Sequence, residues 1–280
     1  MKKRRKRKPR RWSLLLSLIV FFGCAFALGQ YYLEGRETQS DVNRLLELLE
    51  ESPATQDEAQ EKMSEPADEA SNVNESRVEL QTAEGTGTVL TKYQALYELN
   101  SDLAGWVSIE GTNINYPVMY TPDEPEYYLH RSFDGKKRTS GLPFLDSDCS
   151  LFPRSMNLVV YGHHMRDGSM FADLMEYESE EFCRQHGLIQ FDTIYEAGKY
   201  AVVGAFTVSV SKNSEDALRY YYQLIDPTED EFNEFMRALR ENRLYDLDVD
   251  AEYGDQLLML STCEYSHAEG RMVVVAKKVE

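Results

Sequence analysis

The chain has 280 residues, 48 acidic and 30 basic, and a net charge of −18. That length suits one medium domain with accessories, and an apolar share of 42% supplies a real core. Nine of the basic residues stand in the first eleven positions, which leaves 21 against 48 and about −27 for the rest. A surface of that sign argues against a nucleic-acid partner, since phosphate binding needs basic charge.

Residues 2–11 form a basic block, and residues 12–28 (WSLLLSLIVFFGCAFAL) carry no charge at all. At 1.5 Å per residue the apolar run spans about 25 Å, just short of the ~30 Å hydrocarbon core. Gly29 and the Gln30-Tyr31-Tyr32 group complete the span and put the Tyr pair at an interface. The expectation is a single-pass anchor over 12–33, with 1–11 on the cytoplasmic side and the bulk of the chain outside the cell membrane. Ala25-Phe26-Ala27 resembles a signal-peptidase site, so a cleaved secretory peptide is the alternative. Gly23-Cys24 loosely resembles a lipid-attachment site, although Phe21 and Phe22 stand where smaller residues are expected. All three readings place the body outside.

Residues 41–51 read as a short amphipathic helix with Leu45, Leu46, Leu48 and Leu49 on one side. From 52 to about 88 the chain is rich in Glu, Ala, Ser, Gln and Pro, and no aromatic residue occurs between Tyr32 and Tyr93. Such a stretch buries too little to order itself. Residues 34–88 are therefore expected to be a short helix and an acidic, disordered linker, a tether of about 35 Å as a flexible coil.

A folded domain is expected over 89–280. Tyr93, Leu96 and Tyr97 have helical spacing within 91–103. Short apolar or β-branched runs then recur at 106–109, 114–120, 142–145, 158–161, 188–191, 200–210, 257–262 and 272–277, separated by turn residues. About eight short strands in under 200 residues imply a mainly β domain, a barrel or a sandwich. Helices interrupt it at 170–176, 180–186 and 228–240. The last has a capping box, Thr228 to Glu231, and an apolar stripe of Phe232, Phe235, Met236 and Leu239 that reads as core.

Four cysteines are present, Cys24, Cys149, Cys183 and Cys263. Three lie in the body, an odd number for an exported chain, and an odd thiol there is a candidate reactive one. Cys149 and Cys183 read as free, partly buried thiols rather than a pair. Cys263 ends the strand-like run Leu260-Ser261-Thr262, His163 and His164 end the run 158–162, and Arg271 opens the run 272–276. Strands that deliver polar groups at their ends build a site on rigid elements. Seven residues separate Cys263 from Arg271, so a hairpin would put both at one end of a sheet. A thiol needs a base to become a nucleophile, and an Arg can steady an oxyanion. Taken singly, each has an ordinary reading as a core thiol, a hydrogen-bonded His or a solvated edge Arg. Adjacent strand residues face opposite sides, so His163 and His164 do not share one metal ion, and no Cys-x-x-Cys or His-x-x-x-His spacing occurs.

The run from Leu260 to Cys263, followed by Arg271-Met272-Val273-Val274-Val275-Ala276-Lys277, resembles the signature of the sortases, of class B in particular. Tyr161-Gly162-His163-His164-Met165 and Asp167-Gly168-Ser169-Met170-Phe171 resemble the class B histidine segment. The resemblance covers roughly 90–280. It implies an eight-stranded β-barrel with an N-terminal helix and a helix between the sixth and seventh strands. It also implies Cys263 as nucleophile, His163 rather than His164 as its partner because it directly follows Gly162, and Arg271 at the substrate carbonyl. Thr262 and the backbone N–H of Glu264 are weaker candidate substrate contacts. Met259 stands where the family commonly has Thr, and with Tyr265 after Glu264 no helper acid is assigned.

The activity implied is cleavage after Thr in a C-terminal sorting motif of a surface protein. A thioester follows, and then transfer to a cell-wall amine, without a cofactor. A secreted cysteine protease using water, and a non-catalytic surface binding module, are the competing readings.

Overall fold

The computed structural model describes residues 11–52, 76–82, 85–208, 224–263 and 271–280. It opens on one helix, α1 (Arg11–Glu50), of 40 residues. The expected span and the short helix at 41–51 are thus a single element. Leu16, Ile19, Phe21, Phe22, Phe26 and Leu28 are all exposed around it, and among the described residues this is the one helix long and apolar enough to cross a membrane. The pattern changes at Glu34. Thr38, Val42 and Leu45 are buried at the i, i+4, i+7 spacing of a helix stripe, and Leu46 and Leu49 pack on the same core.

Residues 77–82 and 85–88, assigned to the linker on composition, lie in two paired strands instead. Strand β1 (Arg77–Thr82) runs antiparallel to β2 (Gly85–Leu90), with Arg77 opposite Leu90 and Thr82 opposite Gly85. Tertiary contacts hold them where composition gave no signal. Arg77 Nη1 donates to Tyr195 O at 3.0 Å, Leu90 N to Ile194 O at 2.7 Å and Tyr195 Oη to Thr82 Oγ1 at 3.1 Å. Residues 53–75, the rest of the expected linker, lie outside the described residues. A 3-10 turn (Thr91–Tyr93) leads into α2 (Gln94–Leu99), shorter than the expected helix over 91–103. Asn100 ends it in an extended conformation, and its Oδ1 accepts the Asp102 N–H at 2.9 Å.

The eight expected runs all become strands: β3 (Leu103–Ser108), β4 (Asn115–Met119), β5 (Phe144–Leu145), β6 (Asn157–His163), β7 (Leu188–Thr193), β8 (Lys199–Val208), β9 (Leu257–Cys263) and β10 (Arg271–Lys278). They close a barrel in the order β10-β8-β7-β3-β4-β5-β6-β9. Between β6 and β7 a 3-10 helix (Ala172–Glu178) replaces the helix expected at 170–176, and α3 (Glu180–Gln185) follows, with the Ser179 hydroxyl accepting Phe182 N–H. The helix expected between the sixth and seventh barrel strands is α4 (Glu229–Asn242), with the Thr228–Glu231 capping box formed in both directions.

Alternation along the strands sorts two cores. Leu158, Val160, Leu258, Leu260, Met272 and Val274 join the larger cluster, while Val159, Leu257, Met259, Val273 and Val275 pack with the α4 stripe. Phe232, Phe235, Met236 and Leu239 are all at most 5% exposed, and each stabilises by about 1.5–3 kcal/mol. Leu239 sits on Gly204 of β8, where a Cβ would lie 2.9 Å from Leu239 Cδ1. Cys149 and Cys183 are buried free thiols.

Candidate active site

The site forms at one end of the barrel because β6 and β9 run parallel. Their register pairs Leu158 with Leu258, Val160 with Leu260 and, at the last step, His163 with Cys263. Strand β10 returns antiparallel to β9 with Val273 opposite Ser261. Two further steps of that register bring the start of β10, Arg271, across from the end of β9. Residues 263 and 271, close in sequence, and residue 163, about a hundred positions before them, thus meet at the ends of three adjacent strands. Arg271 is half-buried and pairs on its other side with Val208.

His163 is half-buried, and its Nε2 lies 2.8 Å from the carbonyl oxygen of Leu129. A carbonyl can only accept, so Nε2 carries the proton of that bond. The ring also stacks on His130 at 5.2 Å between centroids and 24° between planes. Leu129 and His130 end a 3-10 helix (Tyr127–His130) in the β4–β5 connection. His164 is exposed, and its backbone bridges to Met170.

The segment after His163 folds back on the strand. The Asp167 Oδ1 accepts from Ser169 N at 3.1 Å and Ser169 Oγ at 2.6 Å, and Gly168 takes a φ of 82°. Met170, buried with a φ of 56°, has its N–H satisfied by Tyr116 Oη at 3.0 Å. Phe171 N then donates to His163 O at 2.9 Å, and its ring lies over Gly162. A Cβ at position 162 would sit 2.6 Å from that ring, so the Gly before His163 is a packing requirement.

Thr262, expected as a weaker substrate contact, is 1% exposed and its Oγ1 accepts Met272 N–H at 3.0 Å. That placement makes it a strut between β9 and β10. Glu264 lies outside the described residues. The other two body thiols are chemically quiet. Burial pushes the Cys149 thiol up to about 12 and raises that of Cys183. Among the described residues no three His, Cys, Asp or Glu side chains converge as a metal site.

Sequence reasoning missed the Leu129 carbonyl and the His130 ring. A main-chain carbonyl leaves no signature in a sequence, and His130 stands in no recognisable motif. Beside His130 opens a cavity of about 1000 Å³, whose walls include Glu34, Tyr127, Arg131 and Lys137.

The family model described as "Sortase domain" matches residues 107–279. Sortase B of Listeria monocytogenes is 31% identical over 203 residues, 71% of this chain and 78% of that protein. Sortase B of Staphylococcus aureus is 29% identical over 194 residues, 69% of this chain and 76% of that protein. The crystal structure of sortase B from B. anthracis in complex with AAEK1 superposes with a TM-score of 0.68 at 26% identity, covering 89% of this chain and 99% of that one.

Proposed function

The chain belongs to the sortase family, with the class B members, and is a cysteine transpeptidase at that level; from that premise we propose that it joins surface proteins to a cell-wall amine, with Cys263 as nucleophile, His163 as acid and base, and Arg271 as oxyanion partner. The observation that carries this reading is the pairing of His163 with Cys263 at the ends of two parallel strands, beside the start of β10.

The thiolate of Cys263 attacks the carbonyl carbon after Thr in a sorting motif, and Arg271 holds the oxygen as it gains charge. The peptide C–N bond breaks, His163 gives a proton to the leaving amine, and a thioester remains. An incoming amine, from a peptidoglycan-type peptide, attacks the thioester carbonyl and loses a proton to His163, and the C–S bond breaks to release the Cys263 thiolate. With Nε2–H bonded to Leu129 O, the proton moves through Nδ1. No cofactor enters these steps. Thr262 acts by tying β9 to β10 at the nucleophile, and the Glu264 N–H remains a candidate second donor to the oxyanion.

Residues 12–33 are proposed as a membrane anchor with 1–11 inside and the catalytic domain outside. Exposed apolar side chains all around the first half of α1 support this. Protease added to wall-stripped cells should then digest the domain, and full protection would contradict the orientation.

The experiment for the reaction is incubation of the protein with Asn-Pro-x-Thr and Leu-Pro-x-Thr peptides, with and without an added amine. Amide product in the presence of amine is the expected result. Hydrolysis alone at every amine concentration would make the chain a cysteine protease, and no turnover of any peptide would favour a binding module.

A further inference from the structure

We infer that α1 is a rigid strut, not the start of a tether, and that it holds the His163 end of the barrel, with its basic 131–138 loop, against the anionic headgroup surface of the membrane. This rests on reading residues 12–33 as a membrane span. Glu34 is the first residue past that span, and it already touches the catalytic domain. Its carboxylate accepts Thr139 Oγ1 at 2.9 Å and also the Thr139 N–H. One residue on, Gly35 lies so close to the domain that a Cβ would stand 2.8 Å from Asp167 Oδ2. Thr38 Oγ1 meets Ser140 Oγ at 3.3 Å, and Arg138 reaches Glu37 at 3.1 Å and Asp41 at 3.5 Å. Above these, Val42 and Leu45 are buried in the core.

The contacts continue to the candidate active site. His130 Nδ1 lies 3.3 Å from Thr139 O, Arg138 N donates to His130 O at 3.0 Å, and the His130 ring stacks on His163. Three successive contacts thus link the membrane end of α1 to the proposed base. Asp167, on the other flank, belongs to the loop that returns from His163 to Phe171.

The position of the linker agrees. Residues 53–75 follow Ser52, which is 8% exposed and lies at the far end of the docked stretch. From Glu34 to Glu50 the helix rises about 24 Å. The length of that linker therefore does not set the height of the domain; the helix does.

Charge identifies the partner. Residues 131–138 hold four basic residues and one acid, the densest basic stretch after residue 11 in a body of about −27. Arg138 is engaged by Glu37 and Asp41. Lys136 and Lys137 are exposed, with Asp134 beside Lys136 at 2.6 Å, and Arg131 stacks over the Tyr127 ring at 4.4 Å. An acidic body is repelled by anionic lipid, and this loop is the part of it suited to the headgroups.

The test uses the full chain with Cys24→Ser and Cys263→Ser, reconstituted in vesicles with nickel-chelating headgroups. Flotation with the vesicles is scored first, and a chain that does not float overturns the anchor reading itself. In a floating chain, spin labels are placed singly at Lys137→Cys and Glu50→Cys, and relaxation by headgroup nickel is compared. The strut predicts several-fold stronger relaxation at 137 than at 50, and stronger still when anionic lipid is added. Val42→Asp with Leu45→Asp, or Gly35→Val if that pair does not fold, should bring the 137 signal down toward that at 50. A floating wild-type chain in which 137 is relaxed no more than 50 overturns the strut. Indifference of the 137 signal to anionic lipid overturns the headgroup contact.

Discussion

Gly162→Ala puts a single methyl group where the Phe171 ring now lies. The added Cβ would stand 2.6 Å from two ring carbons and 3.0 Å from a third. Ordinary carbon–carbon contact is about 3.5–4.0 Å, so the ring must retreat by about 1 Å. Phe171 is fully buried, and a close-packed interior has no space to receive it. Overpacking of this kind costs about 1–3 kcal/mol. With a urea slope of about 2 kcal/mol per molar, the midpoint should fall by about 0.5–1.5 M. The shift also reaches the chemistry, because Phe171 N is bonded to His163 O. A misplacement of about 1 Å costs on the order of a hundredfold in rate, so transfer should fall about that far in protein that is still folded. Phe171→Leu added to Gly162→Ala should restore part of the stability. A Gly162→Ala protein with wild-type midpoint and wild-type transfer rate would show that the space beside Phe171 accepts a methyl group without strain. Lost stability with unchanged rate would show that the Phe171 ring does not position His163.

His163→Ala should abolish transfer and His164→Ala should leave most of it, since only position 163 pairs with Cys263; the reverse pattern in a peptide-transfer assay would overturn the choice. Arg271→Lys keeps the charge but loses the planar fork of donors, so acyl-enzyme formation should drop by roughly a hundredfold or more, and a fully active variant would remove the oxyanion role. An alkylating probe at neutral pH should modify Cys263 and spare Cys149 and Cys183 until the protein is denatured, because burial keeps both thiols protonated; rapid labelling of either in native protein would count against this. Hydrogen bonds from Lys136 and Ser132 hold Asp134 down at about 2. Their support for the 132–136 turn is present above the ordinary carboxylate range near pH 4 and is lost as pH falls from there through about 2. Protection of the Gly135 and Lys136 amides, taken relative to the intrinsic exchange rate at each pH, should fall over that window in wild type and show no such transition in Asp134→Asn.

Much of the barrel was legible because its signal is local. Runs such as 158–161 and 272–277 are β-branched and bounded by turn residues, and α4 announces itself by Thr228, Glu231 and four apolar residues on one stripe. What escaped depends on partners distant in sequence. Strand β1 offers only Val78 and Leu80 among polar residues, and it is held at both ends, Arg77 and Thr82, by Tyr195, over a hundred positions away. The apolar side of 41–51 was legible, but not that it docks as part of α1, because its partners at 91–99 lie about fifty residues on. At the site, the residue types and the possible β9–β10 hairpin could be read, whereas the parallel pairing of β6 with β9 has no periodicity to betray it. Thr262 was singled out for its place beside Cys263, and the sequence held no sign that its hydroxyl accepts the Met272 N–H across β9 and β10.

Cys263 is the group proposed to carry the acyl chain. Intact-mass spectrometry of the protein mixed with a sorting-motif peptide, before any amine is added, reads this directly. The wild type should gain the mass of the peptide up to its Thr, hydroxylamine should remove it, and Cys263→Ala should gain nothing while Cys149→Ala and Cys183→Ala behave as wild type. A Cys263→Ala protein that still forms the adduct, or still transfers peptide to an amine, would show that another group is the nucleophile.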